Sequence, residues 1–446
     1  QDAFLRGPHL TAPDAKWNSV CIKCHAVAGR PGIDARTRTV NTETAELGIS
    51  CEACHGPAKA HIAHYQNPVN RYTSHLGDKA VNAILHPGSK TLDHRLSAQA
   101  CGQCHSYQSQ SQAQKIDWNK NGPRFLPGQN LKPRVAVVHA SNFIADKNPG
   151  TPAELKAFVA THKHLPLGRG DLLDRFWPDG MVRVTGREYN GLLDTPCFQR
   201  GKMSCLSCHS MHGYHDKNDQ LAPRMETNDA CLQCHNDLRE NLTAHTHHAA
   251  NSAGSHCYNC HMPHTTYGLL NSIRSHQIDS PSVETQLKTG RPNACNLCHL
   301  DRTLEWTSQR LAKWYGHRQP PLDNDDKTIS STLKLLLKGD AGQRAIAAWH
   351  MGWKPARNAG GGDWQAPWLL RAMDDPYAAV RYIAHKALMA DLEFADTPFD
   401  YTASSDKRTG KVANALGQWR ERQEHGQAVR PELLLDATGQ PLDNAA

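Results

Sequence analysis

From residue 304 onward the apolar positions recur at helical spacing. Leu304, Trp306, Leu311 and Trp314 lead into the run LLLKGD, and Val380, Ile383, Ala384, Ala387 and Leu388 mark one face of a later helix. The segments GQRAIAAWHM (342–351) and AVRYIAHKAL (379–388) align with shared Arg, Ile and Ala. That self-similarity predicts two degenerate HEAT-type helix pairs across 301–425, with the glycines at 360–362 as connector. Two repeats cannot bury a solenoid core alone, so the region is expected to dock on the rest of the chain. Residues 426–446 read as an extended tail that either clasps another subunit or hangs free.

Upstream of residue 300 the signal is of another kind. Mean hydropathy is −0.64 and aromatics make up only 7% of the chain, so a core built of side chains alone would be thin. No run approaches the roughly 18 apolar residues of a membrane span. The chain starts with Gln rather than Met, from which a removed leader and an exported protein are expected. Fifteen cysteines are many for this length. Disulfides, metal sites and haem sites are the three readings that such a count allows, and spacing separates them.

Seven times the chain reads Cys-x-x-Cys-His. The pairs are Cys21 and Cys24, Cys51 and Cys54, Cys101 and Cys104, Cys205 and Cys208, Cys231 and Cys234, Cys257 and Cys260, and Cys295 and Cys298. His follows every pair, at His25, His55, His105, His209, His235, His261 and His299. A redox dithiol needs one Cys-x-x-Cys and no His. Structural zinc pairs such units without requiring His at the same place in each, and a disulfide framework explains neither the spacing nor the His. The pentapeptide is the attachment site of haem c, with two thioethers to the macrocycle and the adjacent imidazole as proximal iron ligand. Seven covalent haems are therefore predicted, and the macrocycles would serve as the missing core. Covalent attachment implies maturation outside the cytoplasm, which places the protein in the periplasm or outside the cell. Haem propionates offset the formal charge of +7, so the apparent basicity does not point to nucleic acid as a partner.

Twenty-eight histidines leave a surplus after the proximal set. Iron that only carries electrons keeps both axial positions filled, and histidines near the motifs are the candidates for the second position. His212 and His264 lie three residues past a proximal His, and His61 lies six past one. A histidine so close to one haem reaches a packed neighbour more easily than the far side of its own. The HTHH cluster of His245, His247 and His248 precedes the sixth motif, and His276 follows it in RSHQI. His61, His212, His248 and His276 are the first candidates, with His94, His164 and His264 next. Methionine is the alternative donor, but the chain has only eight. Mainly bis-histidine, low-potential haems are expected.

The segments CEACHGPAKAH, EYNGLLDTPCFQRGKMSCLSCHSMH, HTHHAANSAGSHCYNCHMPHTTYG, RSHQI and RPNACNLCHLDRTLEW resemble a family of exported multihaem c-type cytochromes with paired CxxCH motifs and a helical-repeat tail. That family is similar in turn to the pentahaem nitrite reductase and octahaem hydroxylamine oxidoreductase superfamily. The resemblance covers about residues 15–310. It implies a mainly α fold: a loop-rich cytochrome domain (1–300) wrapped around stacked haems, plus the C-terminal helical region. Nitrite reductases of this kind mark the catalytic haem with CxxCK, whereas every motif here ends in His. The resemblance thus implies electron transfer to redox proteins or terminal acceptors, with no catalytic residue assigned. A reductase or oxidoreductase with one open haem, acting on a small nitrogen or sulfur compound, and a subunit of an extracellular filament are the rival readings.

The long interval between the third and fourth motifs, about 106–204, reads as an insert with no haem site. Its Pro- and Gly-marked turns and the helical pattern near PAELKAFVATHKH read as a covering layer that offers His139, His162 or His164 to haems beneath. Cys197, outside any motif, reads as a small buried residue, and Tyr189 as an aromatic packed on haem.

Overall fold

The computed structural model describes residues 17–73, 76, 84–137, 175–214, 216–217, 219–361, 364–390, 394, 398–422, 430–436 and 441–442. His139, His162 and His164 lie outside these residues, as does the helical pattern around them. The fold is mainly α, as expected from the sequence. Two compact units divide the chain, one from 2–151 and 186–233, the other from 152–185 and 234–446, apart from residue 1.

The first unit is built from short helices joined by two-residue strand pairs. Ala26–Val27 pairs with Glu46–Leu47, Ile33–Asp34 with Thr39–Val40, and Gln108–Ser109 with Ala136–Val137, all antiparallel. Among the described residues its apolar side chains form small separate clusters. Ile22, Ala26 and Trp118 make one, Phe125, Leu131 and Val135 another, and Ala98, Tyr189, Leu192 and Phe198 a third. None is large enough to hold a fold of this size by area burial alone. The helix Gln112–Asn121 is instead pinned at its start by a capping box between Ser111 and Gln114 and by the Trp118 indole, which donates to the Ser19 carbonyl at 3.0 Å. Tyr189 lies flat on Gly102, where an added Cβ would stand 2.6 Å from the ring; only glycine permits that approach.

The second unit carries the helical region. Leu304–Tyr315 starts at Thr303, whose hydroxyl accepts from the Trp306 N–H, and stops at Gly316 in the left-handed conformation. It buries Leu304, Thr307, Ser308 and Leu311, a stripe at i, i+3, i+4 and i+7. Ser331–Lys338 and Ala341–Gly352 are capped by Ser330 and Asp340. Ala378–Leu388 buries Val380, Ile383, Ala384, Ala387 and Leu388, the face expected from periodicity. This helix packs on Ala341–Gly352 at backbone distance, since a Cβ on Gly352 would lie 2.6 Å from the Ala387 Cα. The aligned segments are therefore packing partners. Residues 430–436 fold back onto the same unit rather than hanging free. Leu433 and Leu435 are buried, Glu432 accepts from the Ser330 N–H at 2.7 Å, and Arg430 pairs with Asp301 at 3.0 Å.

A hairpin of Thr266–Gly268 and Asn271–Ile273 leads from the sixth motif toward Arg291. The Arg291 guanidinium is only 9% exposed and joins Asp179 at 2.8 Å to Asp279 at 2.7 Å. Removing it leaves two carboxylates facing each other in a partly dry site. Arg291→Met is expected to lower stability by about 2–3 kcal/mol, less than for fully buried pairs because Asp279 stays partly solvated. Thermal unfolding of the haem-loaded protein measures this, and an unchanged transition would show the bridge to be dispensable.

Candidate cofactor sites

Most of the Cys-x-x-Cys-His segments sit on one helical turn; the fifth leaves its helix, Asp229–Leu232, before Cys234 and His235. His105 donates its N–H to the Cys101 carbonyl at 2.9 Å, His209 to Cys205 at 3.0 Å, and His299 to Cys295 at 2.8 Å. The second and sixth motifs form the helices Cys51–His55 and Cys257–His261. Positions i, i+3 and i+4 share a face of such a turn, so the spacing turns both thiols and the imidazole to the same side. That is the donor set a covalently held, iron-bearing macrocycle requires.

Several imidazoles are fixed in one orientation. The Nδ1 of His55 donates to the Leu85 carbonyl at 2.6 Å, that of His209 to Asp219 at 2.9 Å, and that of His261 to Asp279 at 2.9 Å. Nε2 then carries the lone pair, the arrangement in which a metal-binding histidine is oriented by its other nitrogen.

Three of the motif imidazoles face a second imidazole. His55 and His212 have ring centroids 6.1 Å apart with planes at 26°, His261 and His245 6.1 Å at 13°, and His299 and His248 6.0 Å at 26°. Rings in direct stacking contact stand closer, as His247 on Trp314 does at 4.5 Å. A metal–nitrogen bond is about 2 Å and an imidazole centroid lies roughly 1 Å behind its nitrogen, so two imidazoles on opposite faces of one metal ion have centroids about 6 Å apart. Among the described residues no three His, Cys, Asp or Glu side chains converge as a metal cage. A gap of that width would admit an iron between the two imidazoles of each pair. Burial pushes the thiols of Cys260, Cys295 and Cys298 up to about 11, 12 and 11.

Residues 197–240 match the doubled CXXCH motif family, and residues 7–56 match the cytochrome c554 and c-prime family. The chain is a multihaem c-type cytochrome. No curated protein sequence matches it. Among solved structures it is similar to the outer cell wall cytochrome OcwA, at 19% identity and a TM-score of 0.40 over 85% of this chain and 76% of that one. Among the described residues no helix of the cytochrome is long and apolar enough to cross a membrane.

The candidate second ligands divide in the structure. His212 and His248 stand opposite motif imidazoles, and the Nδ1 of His248 is held by the Thr246 carbonyl at 2.6 Å. His245, singled out only as part of the HTHH cluster, stands opposite His261. Nothing local in the sequence distinguishes it from its neighbour His247, which stacks on Trp314 instead. His94 turns its Nε2 to the Phe198 carbonyl at 3.1 Å, so the nitrogen a metal would need is engaged in tying the helix His94–Gly102 to Phe198. His264 is packed among Trp349, Trp353 and His350 with its Nδ1 on the Ser272 carbonyl, and burial holds it neutral by pulling its pKa well down. His61 lies on Tyr65, and His276 is half-buried with its Nδ1 on the Arg274 carbonyl. Cys197 is half-buried at the start of the short helix Pro196–Gln199.

Within each unit the attachment turns of the cytochrome are neighbours. The Cys24 thiol reaches the Cys104 carbonyl at 3.9 Å, the Cys101 and Cys205 thiols are near neighbours, and the Gln103 amide donates to the Ala53 carbonyl at 2.8 Å. The third motif thus touches the first, second and fourth. In the other unit Cys260 lies close enough to Cys295 and Cys298 to perturb both thiols.

Proposed function

We propose that the chain holds seven haem c groups, most of them bis-histidine, and passes single electrons along them outside the cytoplasm. Haem c supplies one-electron chemistry at iron; the chain's task is to hold geometry and set potentials. The observation that carries the reading is the set of three imidazole pairs at about 6 Å, each joining a motif histidine to a partner outside any motif. His212, His245 and His248 supply the second ligands to the groups anchored by the second, sixth and seventh motifs. Because the attachment turns abut, neighbouring macrocycles would lie close enough for rapid transfer between them. The helical region from 301 to 425 acts as a HEAT-type buttress on the haem-bearing part, and redox proteins or terminal acceptors take up the electrons.

Electron paramagnetic resonance of the fully oxidised protein, with spins counted against total haem, tests this. Low-spin signals accounting for every haem are expected. A high-spin signal worth roughly one haem in seven would overturn the carrier reading in favour of an open, substrate-binding iron. Fewer than seven haems by chemical quantification would overturn the count.

A further inference from the structure

The third motif is held differently from the second, fourth and sixth. Where His55, His209 and His261 donate Nδ1 to neutral backbone carbonyls, His105 donates to the Glu188 carboxylate at 2.9 Å. The other carboxylate oxygen accepts from the Gly186 N–H at 2.8 Å, which fixes the group from behind. Two more bonds dock the same segment on the motif's exit. The Tyr189 N–H donates to the His105 carbonyl at 3.0 Å, and the Asn190 side-chain oxygen accepts from the Tyr107 N–H at 2.8 Å. Asn190 is buried, and Glu188 begins the helix Glu188–Leu193 that presents all three groups. The clamp reaches across 83 residues of sequence to close on one imidazole.

We propose that Glu188 is a positioning residue that makes the haem of the third motif the lowest-potential centre of its unit. The inference rests on the reading that Cys101, Cys104 and His105 bind a haem. A carboxylate on Nδ1 makes an imidazole a stronger electron donor than a carbonyl does, and a stronger donor favours ferric over ferrous iron. Lys23, which lies on the thiol side near Cys24 and Cys104, acts in the opposite sense. It acts through space rather than through the ligand, so the carboxylate dominates. Since the third motif touches the first, second and fourth, electrons at rest sit on those neighbours and cross the hub as a brief uphill step.

The test is a spectroelectrochemical titration of the haem-loaded full chain and its Glu188→Gln variant, with haem counted chemically and the thiols of Cys101 and Cys104 checked by peptide mass. Glu188→Gln is expected to keep every haem and to raise only the lowest step of this unit, by about tenfold in the oxidised-to-reduced ratio, or about 59 mV for one electron. One low-spin resonance signal should change with it. Should the Gln variant lose the third haem, Glu188→Asp carries the same test, since it keeps the charge but shortens its reach. It should move the same step in the same direction by less. A loaded variant whose lowest step is unmoved, or in which a higher step moves instead, overturns the inference. Unmodified Cys101 and Cys104 in the wild type would instead overturn the haem assignment on which it rests.

Discussion

Replacing His212, His245 or His248 with alanine is expected to convert one low-spin haem to high spin in each case. Each ring stands opposite a motif imidazole at 6.0–6.1 Å, and truncation removes the second nitrogen while leaving the covalent anchor and the proximal ligand untouched. The change should appear in the oxidised protein as a new high-spin resonance worth one haem, and in the reduced protein as one site that binds carbon monoxide. Added imidazole should reverse it by refilling the vacated position. His94→Ala is the contrasting case. Its Nε2 already serves the Phe198 carbonyl, so the spin count should stay at the wild-type value while stability falls by about 1 kcal/mol for one lost hydrogen bond. A high-spin haem in the His94 variant would show that this ring turns to iron once haem is present.

The other large effect is expected at the seventh motif. Replacing Cys295 and Cys298 together with serine should yield a protein one haem lighter, with the remaining haems attached. The loss should reach well beyond the site. Cys295 packs against the cluster of Val283, Leu304 and Leu311, while Leu297 and Leu300 between and beyond the ligands are almost wholly buried. Asn296 bridges the same turn to the helical region, accepting from the Thr307 hydroxyl at 2.7 Å through its side chain and from the Thr332 hydroxyl at 2.6 Å through its carbonyl. Removing a large apolar group from such a turn combines a cavity with lost anchoring, and a cost of about 4 kcal/mol or more follows. Limited proteolysis should then cut within 304–352 at protease levels that leave the wild type intact. The same double substitution at the first motif, where His25 is exposed and side-chain clusters are small, should leave this region resistant. Equal protection in both variants would show that the seventh motif is not part of the helical core.

The sequence by itself determined what depends on local spacing. Cys-x-x-Cys-His puts two thiols and an imidazole on one helical turn wherever that turn forms, so the seven candidate motifs were readable without any tertiary information. The faces of Leu304–Tyr315 and Ala378–Leu388 were readable for the same reason, because a 3.6-residue period records which side of a helix is dry. His212 and His248 were within reach because each lies close in sequence to a motif that packs near its partner. Tertiary structure alone decided what joins distant segments. His55 meets His212 across more than 150 residues, and which of the three HTHH rings faces His261 depends on the left-handed turn at His247, which parts it from His245 and sends it onto Trp314. His94 and His264 illustrate the converse, since a histidine near a motif carries no sign of whether a carbonyl or a tryptophan cage will claim it. The Glu188 clamp on His105 is of the same kind: a carboxylate has no periodicity, and its partner is set only by where the chain returns. Periodic features survive in one dimension because they repeat within a turn, whereas the facing of two imidazoles and the hold of a carboxylate on a ring exist only where separate segments close on one another.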